Sequence, residues 1–222
     1  MKKLIITVAI VLVAVIISAW YFSYNSPPKS STSPTPSASV AEHSISDGKV
    51  TVSFDSSQFG LATTTDQVLV KAYIPPCSQS FDYCLYYIGD AYTNTNFESA
   101  GLSIQKRIDL TTQSKCLNTL PDGYSNMTPV TASGNGYMTS EFSPLGDAAA
   151  GHFSVGALYR LSFAGNCYEF QTRVGQTQFQ NYPAGSIQEF TAADETSLDD
   201  QLAGILNGIK LDNGEQVSFP QK

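Results

Sequence analysis

An uncharged apolar run near the start, residues 4–22, constrains this 222-residue chain more than any other feature. Leu4 to Phe22 carries no charged side chain and follows directly on Lys2 and Lys3. Because a helix rises about 1.5 Å per residue, such a run can cross the roughly 30 Å apolar core of a bilayer. The two lysines favour the cytoplasmic side. The sequence therefore predicts a transmembrane signal-anchor over residues 1–23, with the rest of the chain on the extracytoplasmic side of the cell membrane.

A cleaved secretory signal is the alternative for this segment. Such signals have an apolar region of roughly 7–15 residues before a small-residue cleavage site. The run here is longer and ends in Trp20, Tyr21 and Phe22, of which the first two suit a membrane interface. We therefore favour an uncleaved anchor that tethers the protein to the membrane.

Residues 24–46 are rich in Ser, Pro and Thr and carry few apolar side chains. A segment of this composition cannot bury enough apolar surface to offset the entropy lost on ordering, so we predict a disordered linker. Residues 47–222 then form one extracytoplasmic globular domain, which is long enough for a sizeable core.

The predicted domain is acidic. Three of the 12 Lys and Arg residues (Lys2, Lys3 and Lys29) and one of the 19 Asp and Glu residues (Glu42) precede residue 47. The domain therefore has nine basic and eighteen acidic side chains, a net charge of about −9. Because nucleic acids are bound through cationic side chains, this charge argues against nucleic acid as a partner.

Four cysteines, Cys77, Cys84, Cys116 and Cys167, all lie in the exported part. An even number of cysteines in an oxidising environment predicts two disulfides, although three connectivities are open. We predict Cys77 with Cys84 and Cys116 with Cys167. A zinc site is the alternative, but the domain has no Cys-x-x-Cys spacing and a single histidine, His152. We therefore expect neither a metal nor another cofactor.

From residue 49 the chain shows short runs of β-branched and aromatic residues separated by Gly, Pro, Asn and Asp, a pattern typical of β-strands. In the clearest pair, two alternating runs flank Ala164-Gly165-Asn166, and a short connection containing Gly predicts a hairpin. The predicted strands are Lys49–Phe54, Val68–Ile74, Cys84–Ile88, Leu102–Leu110, Gly136–Phe142, Phe153–Phe163 and Cys167–Val174.

One amphipathic helix is predicted near the end of the chain. Thr191 and Asp194 form a capping-box-like start. Asn207-Gly208 indicates the end of the helix, before a short strand over Ile209–Leu211. The apolar side chains in this region recur at helical spacing and predict a stripe that packs on a sheet: Leu198, Leu202, Ile205, Leu206 and Ile209.

Together these elements predict an α+β domain dominated by an antiparallel β-sheet, with the C-terminal helix packed on the sheet. A pure β-sandwich is the alternative, because most of the elements are strands. Shorter helical segments are indicated at Thr64–Val68 and Thr95–Gly101.

Two groups of residues are candidates for catalysis. His152 and Ser154 share one face of a predicted strand, but a hydrolase also needs a group that orients the base, and no Gly-x-Ser-x-Gly motif is present. The second group is a cluster of carboxylates on the predicted helix: Asp194, Glu195, Asp199 and Asp200. Helical geometry places the first two at the positive end of the helix dipole and the others opposite the apolar stripe. We therefore predict no catalytic residue.

The segment 81–92 is dense in aromatic side chains. Tyrosines on a disulfide-pinned loop offer a large contact area at a small cost in entropy, which favours a binding surface. The same residue types also form strands and fill cores. The candidate binding surface consists of Phe81, Tyr83, Tyr86, Tyr87 and Tyr92.

The last third of the chain contains four short motifs: Tyr159-Arg160, Asn166 to Phe170, Glu189-Phe190 and Leu202 to Leu211. In these motifs the chain resembles the ends of exported bacterial proteins, some of them similar to PsbP/Mog1-like domains. The resemblance implies an antiparallel sheet covered by helices, with a late helix leading into a short final strand. PsbP-like proteins are generally accessory or interaction proteins, so the resemblance also implies a binding role.

We therefore expect a membrane-anchored, extracytoplasmic, non-catalytic binding or interaction module. Its expected partner is a cell-envelope protein or a glycan. An extracytoplasmic hydrolase with an unrecognised site is the alternative.

Overall fold

The structure is a computed structural model that describes residues 40–44, 48–63 and 81–220. The predicted anchor, the predicted strand Val68–Ile74, the predicted helix Thr64–Val68 and Cys77 lie outside these residues. The helices of the described part are α1 (Gln113–Asn118) and α2 (Ala192–Asn207), and Phe179–Asn181 forms a 3₁₀ turn. Its strands are β1 (Val40–Ser44), β2 (Val50–Asp55), β3 (Phe59–Thr63), β4 (Tyr83–Tyr87), β5 (Phe97–Lys106), β6 (Val130–Ser133), β7 (Tyr137–Ala149), β8 (His152–Phe163), β9 (Asn166–Thr177) and β10 (Lys210–Leu211).

These strands form two sheets in which neighbouring strands are antiparallel. The large sheet has the order β3-β4-β5-β9-β8-β7-β6, and the small sheet has the order β1-β2-β10. Helix α2 contacts β2 of the small sheet and β5 and β9 of the large one. The predicted α+β domain, dominated by an antiparallel sheet with the C-terminal helix packed on it, is therefore confirmed.

Helix α2 begins with the predicted capping box. The Thr191 hydroxyl accepts a hydrogen bond from the Asp194 backbone N–H at 3.3 Å, and the Asp194 carboxylate accepts one from the Thr191 N–H at 2.8 Å. The helix ends at Asn207, and Gly208 is its C-cap. The predicted apolar stripe is buried in the main core. Four of its residues, Leu198, Leu202, Ile205 and Leu206, lie in the helix, and Ile209 follows it.

The predicted hairpin is formed by β8 and β9, but its connection has two residues instead of three. Phe163 pairs with Asn166, so only Ala164 and Gly165 form the loop. Both have positive φ, 49° and 74°, as a type I′ turn requires. The prediction was wrong by one residue because Asn166 joins the strand ladder.

The short helix α1 lies against the large sheet and is tied to it by a covalent bond and a buried arginine. The predicted Cys116–Cys167 disulfide is present and joins α1 to β9. Arg160 of β8 donates hydrogen bonds to the carbonyl oxygens of Cys116 and Thr119, at the C-terminal end of α1. The disulfide indicates an oxidising, extracytoplasmic location for the domain.

Three predicted element boundaries were wrong. The segment predicted as a helical turn, Thr95–Gly101, contains a bridge residue and the start of β5, which pairs with β9. Strand β5 ends at Lys106, and Ile108, which was predicted to belong to it, is 85% exposed in the following turn. The strand predicted to end at Phe142 continues to Ala149, because it pairs with β8 on both sides of an irregularity.

Four elements occur where the sequence predicted none. Strand β1 falls inside residues 24–46, predicted to be a disordered linker, and its five residues pair with β2. Strands β3 and β6 and helix α1 were also not predicted. In the described part of the chain, neither helix has the length and apolar character needed to span a bilayer.

Candidate binding cavity

A cavity of about 430 Å³ lies between helix α2, strands β7 and β8, and the C-terminal segment, residues 218–220. The C-terminal segment is held there by β7, since the Thr139 hydroxyl donates to the Ser218 carbonyl at 2.9 Å and the Ser218 N–H donates to the Tyr137 hydroxyl at 2.9 Å. Acidic and aromatic side chains line the cavity beside small apolar ones: Glu141, Glu195, Asp199, Asp200, Tyr159, Phe219, Val155, Ala157, Ala203 and Leu206.

Glu141 of β7 is the most deeply buried carboxylate of the cavity, with 5% of the residue exposed. Its Oε1 accepts a hydrogen bond from the Ser143 hydroxyl at 2.7 Å. The strand register shifts between Phe142 and Leu145, and Ser143 lies in this β-bulge. Bulges redirect side chains and are frequent beside functional sites. Among the residues that the structure describes, no lysine, arginine or histidine forms an ion pair with Glu141.

Tyr159 of β8 lies directly across the strand ladder from Glu141. Its ring packs against Phe219 of the C-terminal segment, with 5.3 Å between ring centroids. Burial raises the pKa of the Tyr159 phenol to about 12, and the negative charges of Glu141 and Asp199 contribute to the same rise. The phenol therefore stays neutral at physiological pH. The carboxylates of Glu141 and Asp199 both act on this phenol.

Helix α2 supplies the remaining acids along one side of the cavity. Glu195 and Asp199 are one helical turn apart, so their side chains lie on the same face. Glu195 accepts a hydrogen bond from the Gln176 side-chain amide at 2.8 Å. Asp199 and Asp200 are both exposed and line the cavity. Four carboxylates thus border a space walled by apolar and aromatic groups, which can hold a positively charged group with an apolar body.

The acidic cluster predicted from the sequence is divided by the structure. Glu195, Asp199 and Asp200 line the cavity, whereas Asp194 belongs to the capping box. Hydrogen bonds from the Thr191 hydroxyl, which has the larger effect, and from the Thr191 backbone N–H hold the pKa of Asp194 below its usual value. Asp194 therefore stabilises the start of the helix.

His152 and Ser154, the other catalytic candidates, lie outside the cavity and interact with different partners. Nδ1 of His152 is 2.8 Å from Oε1 of Glu98. Ser154 is 2% exposed, and its hydroxyl oxygen accepts a hydrogen bond from Arg173 at 2.7 Å. Arg173 also pairs with Asp147 at 2.5 Å. The structure thus gives His152 and Ser154 separate polar partners, Glu98 and Arg173.

The five aromatic residues of the candidate binding surface are all partly buried. Tyr83, Tyr87 and Tyr92 pack against the main core, and Tyr92 lies 5.1 Å from Phe190 between ring centroids. Tyr86 points to the other face of β4 and covers Gly60 of β3, where a Cβ would lie 2.6 Å from the Tyr86 ring. The structure therefore divides these side chains between two faces of the sheet, and their role as a binding surface stays a prediction.

The sequence did not single out Glu141 or Phe219, and it named Tyr159 only within a motif of the resemblance. One signal was available, because Glu141 is an acid within a predicted strand and alternates with Thr139 and Ser143. Only the register of β7 and β8 places Glu141 opposite Tyr159.

No protein-family model matches this chain, and no curated protein matches it either. Among solved structures, the chain is similar to cyanobacterial PsbP (CyanoP) from Synechocystis sp. PCC 6803, with 8% sequence identity and a TM-score of 0.42, over 83% of this chain and 99% of that one. It is also similar to the Ran-binding protein Mog1p of Saccharomyces cerevisiae, with 12% identity and a TM-score of 0.38, over 79% of this chain and 96% of that one. The resemblance to PsbP/Mog1-like domains stated from the sequence is thus confirmed, and it extends beyond the C-terminal third.

Proposed function

We propose that this protein is a non-catalytic binding module, anchored by residues 4–22 on the extracytoplasmic side of the cell membrane. Its ligand is a positively charged group, carried by a component of the cell envelope and bound in the acidic cavity between α2, β7 and β8. The uncharged run after Lys2 and Lys3 supports the anchor. The Cys116–Cys167 disulfide supports the extracytoplasmic location.

The observation that carries this proposal is the environment of Glu141. Only 5% of the Glu141 residue is exposed, so its carboxylate has lost much of its hydration, and this costs free energy unless a cation or several donors replace the water. Within the described ranges, the Glu141 carboxylate accepts one hydrogen bond, from the Ser143 hydroxyl, and forms no ion pair. A cationic ligand in the cavity would supply the missing compensation.

The acidity of the whole domain supports the same ligand charge. With a net charge of about −9 over residues 47–222, the protein attracts cations from a distance and repels anions. Such attraction raises the association rate and weakens as salt screens the field. Binding should therefore weaken with increasing ionic strength.

The proposal is tested by titrating the full-length chain, in an uncharged detergent, with pentalysine and pentaglutamate. Glu141→Gln removes the buried charge and keeps the shape. Glu189→Gln is the matched control, because Glu189 is exposed and lies outside the cavity. Loss of a charged hydrogen bond costs about 1.5–3 kcal/mol, so we expect Glu141→Gln to weaken pentalysine binding roughly 10-fold or more.

The control variant should bind pentalysine within about twofold of the unmodified protein, and pentaglutamate should not bind. Equal affinity of the Glu141→Gln and Glu189→Gln variants for pentalysine would contradict the proposal, because binding would then reflect the general surface charge.

A further inference from the structure

The second half of strand β7 is paired on one side only. Strand β8 pairs with β7 on both sides of the bulge, whereas β6 pairs with it only from Met138 to Glu141. Among the described strands, none pairs with the other side of residues 144–148, which we call the outer edge. An uncovered edge offers its N–H and C=O groups to a strand of another chain, and proteins usually protect such edges.

The hydroxyl of Tyr124 occupies the centre of the outer edge. It accepts a hydrogen bond from the Gly146 N–H at 2.9 Å and donates one to the Gly146 carbonyl at 3.1 Å. In an antiparallel ladder, a residue of the adjacent strand forms this pair of bonds with its own C=O and N–H groups. One side-chain hydroxyl therefore takes the place of a strand residue at Gly146.

The two neighbouring positions of the outer edge differ in what they offer. The N–H and C=O groups of successive residues point to alternate sides of a strand, so Pro144 and Ala148 direct theirs to the same side as Gly146. Pro144 has no N–H, which weakens pairing at one end of the edge. Ala148 is exposed and has both groups. The edge is thus protected at Pro144 and Gly146 and open at Ala148.

The ring of Tyr124 is held by apolar packing that does not involve its hydroxyl. Tyr124 lies in the connection between α1 and β6, residues 119–129, which contains neither helix nor strand. Its side chain packs against a buried cluster formed by Phe142, Leu145 and Leu158. Replacing Tyr124 with Phe therefore removes the two hydrogen bonds and keeps the packing.

The outer edge is complementary to the same edge of a second copy. A two-fold axis through Gly146 would place Ala148 of each copy opposite Pro144 of the other, in antiparallel pairing. The Ala148 N–H would then donate to the Pro144 carbonyl, and the two Gly146 residues would exchange both of their bonds. Asp147 would lie opposite Leu145 of the other copy, so no like charges would face each other across the pair.

We infer that the outer edge of β7 is a self-pairing surface, which the Tyr124 hydroxyl holds closed in each copy. Without this hydroxyl, the Gly146 N–H and C=O groups are available to a second copy. The closure prevents the sheet of one copy from continuing into the sheet of the next. This inference does not depend on the ligand of the acidic cavity, so either proposal can fail without the other.

The closure is tested by amide hydrogen exchange at Gly146, in the full-length chain in an uncharged detergent at low protein concentration. Tyr124→Phe removes both hydrogen bonds, so we expect the Gly146 amide to exchange about tenfold faster. Tyr182→Phe is the matched control, because it removes a phenol hydroxyl that hydrogen-bonds to Thr177, and it should leave the Gly146 rate unchanged. An unchanged rate in Tyr124→Phe would overturn the closure.

Self-pairing is tested by energy transfer between full-length copies that carry a donor or an acceptor dye at the N-terminal amine. We expect Tyr124→Phe to associate about tenfold more tightly than the unmodified protein. Its Gly146 amide should become protected again as the protein concentration rises. Ala148→Pro removes an N–H that points away from β8, so the double variant Tyr124→Phe/Ala148→Pro should return to the association of the unmodified protein.

Equal association of Tyr124→Phe and the unmodified protein would overturn the inference, and so would tight association that persists in the double variant. Met127→Ala controls for a general loosening of residues 119–129, because Met127 packs against the same apolar cluster and the variant keeps the Tyr124 hydroxyl. Association of Met127→Ala as tight as that of Tyr124→Phe would show that lost packing drives the pairing, which would also overturn the role of the hydroxyl.

Discussion

The Nε atom of Arg160 donates a hydrogen bond to Oε2 of Glu169 across 2.7 Å, although only 1% of the Arg160 side chain is exposed. The same Glu169 oxygen also accepts from Arg107 at 2.8 Å. Two guanidinium groups thus compensate one partly buried carboxylate on the α1 side of the large sheet. Glu141, on the α2 side, is similarly shielded from water but has no cationic partner within the described residues. This contrast is the reason why we propose that the partner of Glu141 comes from outside.

Replacing Arg160 should destabilise the fold strongly. Arg160→Ala removes the ion pair with Glu169 and the donors to the Cys116 and Thr119 carbonyls, and it leaves these acceptors buried. We expect a loss of about 3–5 kcal/mol in the free energy of unfolding. Arg107→Ala, at a side chain that is 23% exposed, should cost about 1 kcal/mol. Urea unfolding of the two variants measures the difference, and similar losses would show that Arg160 is not a structural anchor.

The Cys116–Cys167 disulfide should contribute stability through the loop that it closes. The two cysteines are 51 positions apart, and the chain-entropy model assigns about 4 kcal/mol to a loop of this size. The double variant Cys116→Ala/Cys167→Ala should therefore unfold at a clearly lower urea concentration than the unmodified protein. An unchanged midpoint would mean that Arg160 alone holds α1 on the sheet.

The capping box of α2 should contribute about 1 kcal/mol to the free energy of unfolding. Thr191→Ala removes the hydroxyl that accepts from the Asp194 N–H and donates to its carboxylate. Thr196→Ala is the matched control, because the Thr196 hydroxyl donates to the Ala192 carbonyl one turn earlier and takes no part in the cap. Thermal unfolding should show a lower Tm for Thr191→Ala and little change for Thr196→Ala. A reversed order would contradict the role of the cap.

Tyr159 should ionise well above the usual pH range of a tyrosine. Burial, with the charges of Glu141 and Asp199, raises its pKa in the folded protein to about 12, against about 10 in the unfolded chain. The raised pKa means that the stability from the neutral phenol is fully present below about pH 10 and is lost as the pH rises towards 12. Ultraviolet titration of the unmodified protein minus Tyr159→Phe should give a midpoint near 12.

Glu141→Gln tests the electrostatic part of this shift. Removing one negative charge opposite Tyr159 should lower the midpoint of the phenol titration. The Glu189→Gln control should leave it unchanged. A midpoint that does not respond to Glu141→Gln would mean that the carboxylate does not act on the cavity.

The features that were predicted correctly have local causes. The alternation of Val50, Val52 and Phe54 reflects a strand with one buried face, and all three are buried. The capping box and apolar stripe of α2 are likewise determined by residues near in sequence. Such patterns can be recognised in the sequence before any tertiary contact is known.

The features that were missed depend on distant residues. The six-residue helix α1 is too short to be stable alone and is held by Cys167 and Arg160 of the sheet. Strand β3 contains Gly60, which interrupts the strand pattern in the sequence. The glycine is needed because the Tyr86 ring packs over it. The cavity could not be predicted for the same reason, because the pairing of Glu141 with Tyr159 follows from the strand register and not from spacing in the chain.

The most direct test of the central claim is the position of a bound cation on the protein. Amide chemical shifts of the isotope-labelled full-length chain, in an uncharged detergent, would be followed while a peptide with a single lysine is added. We expect the largest changes at Ala157, Thr172 and Ala203, which line the cavity, and their loss in Glu141→Gln. Changes centred on Tyr83, Tyr86 and Tyr92, or spread evenly over the acidic surface, would contradict a cation site in this cavity.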